Sequence, residues 1–192
     1  MKYYLKTFDC ISEELSEIWK KIQIEGYYHP FQSDDWIKKW IQTVGSKKNI
    51  KPIFIAIFTG NECSILIPLS LKIYRGFRII EMISAENCDY CSPILGKNYD
   101  EGFQIKLLWK EIKNNLPQFD YLNIRNQPEF INGKKNPLFV LGKGTINNSY
   151  FLKLTNTDYN TFIKKNIKKK ILADTNRQIK RLKEFGNLEF KV

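Results

Sequence analysis

The stretch from Pro52 to Tyr74 constrains the fold more than any other. Ile53, Ile55 and Ile57 alternate with Phe54, Ala56 and Phe58, so the run is apolar on both faces. Successive side chains of a strand point to opposite sides, and a strand apolar on both must be covered on both. Thr59-Gly60-Asn61-Glu62 follows, a two-residue hairpin signal that predicts a type II′ turn on Gly60-Asn61. The return strand is expected over Cys63 to Tyr74, with Ile65, Ile67, Leu69, Leu71 and Ile73 on one side. Pro68 cannot donate to a ladder, which predicts a bulge or an edge there. Arg75-Gly76 turns the chain into a third strand, Phe77 to Ile83, and Cys91 to Leu95 gives a short fourth.

Helical spacing flanks this meander. After a short strand over Tyr3 to Phe8, Ile11, Leu15, Ile18, Trp19 and Ile22 recur at three and four residues, and Gly26 ends the helix. Ser33 is an N-cap with Asp34 and Asp35 in the following turn; that helix presents Trp36, Ile37, Trp40, Ile41 and Val44 and stops at Gly45. The four tryptophans (Trp19, Trp36, Trp40, Trp109) fall on helix faces and read as core. A third helix carries Phe103, Ile105, Leu107, Leu108, Ile112 and Leu116; a strand over Tyr121 to Arg125 follows it, then a polar excursion from Asn126 to Gly144 and a strand over Tyr150 to Leu154. The fold class is α/β of the α+β kind: a mixed, mostly antiparallel central sheet flanked by helices.

The last segment is a basic helix. Thr157 is its expected cap; Ile163, Ile167, Ile171, Ile179 and Leu182 form its stripe, Asn166 caps a break within it, Gly186 ends it, and Leu188 to Val192 begins a strand. Between Lys164 and Glu184, nine basic residues face Asp174 and Glu184, which puts +7 of the chain's +11 net charge there. Such a surplus favours anionic partners. Lys168, Lys169, Lys170, Arg177, Lys180 and Arg181 are the candidate anion or partner contacts. The helix lacks the interleaved aromatics and reading-helix spacing of a nucleic-acid element, so its lysines are expected to be solvated and nucleic acid is not the expected partner.

No apolar run approaches the ~20 residues of a membrane-spanning helix, and the N-terminus lacks an apolar signal core, which predicts a cytoplasmic protein. Cys88-Asp89-Tyr90-Cys91 is a lone CxxC with neither a second pair nor more than one histidine to complete a zinc site. A redox CxxC would open a helix, whereas Pro93 and the apolar Ile94-Leu95 lead this one into a strand; neither metal nor redox chemistry is expected, and two buried thiols are. His29, the only histidine, precedes Pro30 and reads as a turn residue.

Element order together with particular stretches resembles the N-terminal half of the CelD-like acetyltransferases of the GNAT superfamily, relatives of the FemAB peptidyltransferases. The residues that carry it are Pro30-Phe31-Gln32-Ser33-Asp34-Asp35-Trp36, Ile65-Leu66-Ile67-Pro68-Leu69, Asp89-Tyr90-Cys91-Ser92-Pro93, Phe119 to Arg125, Tyr150 to Leu154 and the basic helix. The resemblance implies a GNAT-like domain over 1–154 and, over 155–192, a basic helix and the first strand of a second, incomplete one.

By that resemblance the function is transfer of an acyl group from acyl-CoA, such as acetyl-CoA, to an amine. The family signature for the cofactor pyrophosphate is a glycine-rich loop after the fourth strand. Here that loop reads Gly96-Lys97-Asn98-Tyr99-Asp100-Glu101-Gly102. Asp100 and Glu101 would repel phosphates, so Gly96, Lys97 and Gly102 mark a degenerate loop, no cofactor is expected on this chain alone, and the chain is expected to be inactive alone. Asp89, Tyr90 and Glu86 lie at the fourth-strand entry, where the family keeps acid–base groups, and Arg125 at a strand end could hold an anion or pair with Asp120 or Asp89. The exposed stripe and terminal strand are expected to be covered by a second copy or by a complementary C-terminal acyltransferase half, or else the C-terminus is expected to fray. The alternative function is a non-catalytic GNAT-like partner module, ahead of a basic nucleic-acid-associated protein.

Overall fold

The computed structural model describes residues 3–142 and 156–189. The chain divides into two compact units, 1–144 and 145–192.

In the first unit β1 (Tyr3–Phe8) leads to α1 (Glu13–Glu25) and α2 (Asp34–Trp40), which continues through one π-turn, Ile41–Gly45. The meander is β2 (Lys51–Thr59), β3 (Glu62–Tyr74) and β4 (Phe77–Met82). Then come β5 (Ile94–Leu95), α3 (Ile105–Asn114), β6 (Tyr121–Asn123) and a small hairpin of β7 (Phe130–Ile131) and β8 (Lys134–Lys135). The sheet order is β1-β2-β3-β4-β6, with β5 paired to β3. All its pairs are antiparallel except β4 with β6, which α3 separates in sequence. The protein is thus a mixed α/β structure whose mostly antiparallel sheet is flanked by helices.

The two-faced run does what its pattern requires. Ile53, Ile55 and Ile57 pack with Ile65, Ile67, Leu69 and, from α3 and its exit, Ile105, Ile112 and Leu116. Phe54, Ala56 and Phe58 pack on the other face with Leu15, Trp19 and Ile22 of α1 and Ile37 and Trp40 of α2. Ser12 and Ser33 cap the two helices, accepting from the amides of Leu15 and Trp36. Gly60 alone of the two turn residues has positive φ, 60°, as a II′ turn needs.

Several expectations move. The bulge lies at Ser64, where the register shifts between Ile57↔Ile65 and Phe58↔Cys63. Pro68 pairs with Phe54 in an unbroken β2 ladder, at the point where β3 has neither β4 nor β5 beside it. Its carbonyl accepts from Ile83 N–H at 3.1 Å. Ile73 is 73% exposed, because the β3–β4 hairpin runs past its helical cover. Trp36 is 38% exposed and is not core.

The second unit holds α4 (Tyr159–Asn166) and α5 (Lys169–Phe185). Asp158, not Thr157, caps α4, because its carboxylate reaches the Thr161 amide. The break falls at Ile167–Lys168, and Asn166 ends α4 by donating to the Phe162 carbonyl rather than capping α5. Leu188 and Glu189 are not in a strand; residues 190–192 and the Tyr150–Leu154 expectation lie outside the described residues. No helix of the described residues is long and apolar enough to cross a membrane.

Phe54 is fully buried, so Phe54→Ala should lower the unfolding free energy by about 3–5 kcal/mol through lost burial and a cavity. Ile24, 83% exposed, should cost under about 0.5 kcal/mol as Ile24→Ala. Urea denaturation of both variants checks the pair.

Candidate functional site

The chain leaves the sheet between β4 and β5, and polar groups gather there. Ser84 opens the excursion with φ 63°, and Asn126, at φ 55°, closes it from beyond β6. Asn126 accepts from Cys91 N–H at 2.8 Å and donates through Nδ2 to the Cys88 carbonyl at 2.9 Å. From α2, Trp36 Nε1 donates to Ser84 Oγ at 3.4 Å and Trp40 Nε1 to Asn87 Oδ1 at 2.9 Å. Gln32 donates to the Tyr90 carbonyl at 2.7 Å and accepts from Ser92 Oγ at 3.1 Å.

This framework encloses an open polar depression of about 690 Å³, lined by Ala85, Glu86, Asn87, Cys88, Asp89, Arg125 and Asn126. Three residues singled out from sequence, Glu86, Asp89 and Arg125, therefore share one surface. Arg125 does not pair with Asp120, whose carboxylate binds Arg78 at 3.1 Å. Tyr90 does not line the depression; its ring stacks on His29 with centroids 4.7 Å apart. Burial lowers the His29 pKa against the opposing pull of the Phe130 carbonyl, and His29 Nε2 is buried without a hydrogen-bond partner.

Glu86 is held between Lys48 and Lys72. Hydrogen bonds from Lys48 and then Lys72 lower its pKa, so it stays ionised and is a poor proton donor. Lys72 also binds Glu81 at 2.7 Å. Burial works to lower the Lys72 pKa, but the bonds to Glu81 and Glu86 outweigh it and the net shift is upward. Glu81, 5% exposed, was missed in the sequence, although a lone carboxylate inside the apolar run Ile79-Ile80-Glu81-Met82-Ile83 was the available signal.

The loop after β5 lies elsewhere in this unit. The Ser64 bulge aims its carbonyl at Gly96 N–H, 2.8 Å away, and a Cβ on Gly96 would stand 2.4 Å from the Cys63 carbonyl oxygen. Gly96 is needed for that close approach. Tyr99 N–H returns to Gly96 O, Phe103 N–H to Asp100 O, and Gly102 N–H donates to Asp100 Oδ1 at 2.8 Å. Glu101 pairs with Lys134 at 2.9 Å; Lys97 is exposed. Lys168, Lys169, Lys170, Arg177, Lys180 and Arg181 are all exposed, and Arg177 pairs with Asp174 at 2.9 Å. Among the described residues no three His, Cys, Asp or Glu side chains converge as metal ligands. No protein-family model, curated protein or solved structure matches this chain.

Lys72→Met should strand Glu81 in the sheet and cost about 3 kcal/mol, most of it recovered by adding Glu81→Gln, as read by chemical denaturation of the single and double variants. The Glu86 contribution is complete above its ordinary value of 4.5 and is lost as pH falls through its lower folded value. Glu86→Gln should accordingly flatten the acid side of the stability–pH curve.

Proposed function

We propose that this chain contributes the N-terminal, GNAT-like half of an N-acyltransferase and needs a complementary half to carry acyl-CoA. The observation that carries the reading is the strand order. β1, two helices and the antiparallel β2-β3-β4 meander are followed by the short β5, by α3 and then by β6, which pairs parallel with β4. That is the order expected of the family whose residues the sequence resembles. In the complete enzyme an amine would attack an acyl thioester.

The residues after β5 do not fit a diphosphate. The Gly102 amide is already given to Asp100, the Gly96, Tyr99 and Phe103 amides are bound within the fold, and two carboxylates stand in the turn. A helix-opening loop holds phosphate through free amides and no like charge. No catalytic step is therefore assigned to these residues, and Asp89, Glu86 and Arg125 form a surface for an acceptor or a partner rather than an acyl-CoA site.

Calorimetric titration of the full chain with acetyl-CoA should give no saturable binding up to about 1 mM. The double variant Asp100→Ala, Glu101→Ala, which clears the turn, should gain weak binding. Micromolar affinity in the unaltered chain, or no gain in the double variant, would overturn the reading.

A further inference from the structure

Two thiols at the sheet break are not used by the acyltransferase reading. Cys88 and Cys91 are both free and are 5% and 1% exposed. Cys91 Sγ donates to the Cys88 carbonyl at 3.9 Å, and the electrostatics of the two thiols are linked. Cys88 Sγ lies 2.8 Å from Ser84 Oγ. That hydroxyl also accepts from Trp36 Nε1 at 3.4 Å. Ser84 itself has a left-handed backbone, φ 63°. Cys88 forms part of the wall of the depression, whereas Cys91 is buried and does not line it. Asn126 pins the backbone of both residues. A largely buried thiol on the wall of the depression, beside a hydroxyl and three residues from a second thiol, is compatible with an attacking and a resolving pair.

We propose that Cys88 and Cys91 are a redox-active dithiol that exchanges with low-molecular-weight disulfides and closes to an intramolecular disulfide. The Cys88 thiolate attacks one sulfur of the small disulfide. Its S–S bond breaks, one small thiolate leaves and takes up a proton, and a mixed disulfide remains on Cys88. Cys91 sulfur then attacks Cys88 Sγ as its proton passes to the second departing small thiolate. The protein dithiol has lost two electrons and two protons, and the small disulfide has become two thiols.

The electrostatics favour this division of roles. The bond from Cys91 holds the Cys88 thiol down to about 7; burial opposes it, and Ser84 and Trp36 reinforce it. The same bond and burial push Cys91 up. The charges facing the pair are Asp89, which works against the Cys88 thiolate, and Arg125 and Glu81, which act on Cys91 with opposite signs. Cys63 is pushed up to about 12, chiefly by burial, and stays inert.

The test uses the full chain as Cys10→Ser, since Cys10 is exposed, incubated reduced with oxidised glutathione at neutral pH and acid-quenched. Intact mass should fall by two hydrogens, with the bridge in the tryptic peptide Ile79 to Lys97. Adding Cys91→Ser should stop the reaction at a stable glutathione adduct on Cys88. An unchanged mass, an adduct confined to Cys63, or a bridge that forms only in urea would overturn the proposal. Should Cys91→Ser not fold, iodoacetamide labelling of Cys88 in the Cys10→Ser chain decides. Half-maximal rate near pH 7, moved upward by Ser84→Ala, supports the proposal; labelling that begins only above about pH 8.5, as for an ordinary thiol, refutes it.

Discussion

Burial of β2 on both faces is the constraint on which the rest of the molecule depends. Ile53, Ile55 and Ile57 meet α3, while Phe54, Ala56 and Phe58 meet α1 and α2. A one-residue slip in a strand exchanges its two faces. Here both faces are apolar, so hydrophobicity alone would tolerate the slip. Register is set instead by the two-residue turn at Gly60-Asn61, which fixes Thr59 opposite Glu62. The turn and the covering helices together specify what neither does alone.

From that register the sheet break follows. One extra residue at Ser64 turns its carbonyl toward Gly96, and Pro68, unable to donate, offers only its carbonyl to Ile83. β5 therefore occupies β3 at Ile65 and Leu66, and β4 occupies it from Leu69 onward. The chain between them has to leave the sheet. Backbone groups that leave a ladder must be satisfied by other partners, and the side chains of Asn126, Gln32 and Gln127 supply them. The polar depression is thus a consequence of a broken strand, and bulges commonly accompany such sites.

The strands and helices were legible because period-two and period-3.6 patterns are local. Glu86, Asp89 and Arg125 could be placed at strand ends from sequence, but only the parallel pairing of β4 with β6 brings Arg125 beside the other two. The roles of Glu81 and Trp36 were not legible. Glu81 finds its cation on the neighbouring strand, at Lys72, and Trp36 finds its acceptor at Ser84, 48 residues away. Neither contact leaves a trace in sequence spacing. The Thr157 and Asp158 exchange is a subtler miss. Both residue types cap helices, and only the backbone decides which side chain reaches the free amide.

Net charge is a poor guide to where an anion would sit on this protein. The chain carries +11, yet Lys72 and Lys48 bind Glu81 and Glu86, Arg78 binds Asp120, and Lys134 binds Glu101. The exposed pairs among these contribute little stability, unlike Lys72 with the buried Glu81, but all of them occupy the cations nearest each loop. The turn after β5 goes further, since Asp100 places a tethered carboxylate on the Gly102 amide. An external phosphate would compete with an anion whose effective concentration is set by a two-residue tether, while meeting the charge of Glu101 beside it. The loop's own carboxylate therefore already holds the Gly102 amide that a phosphate would need.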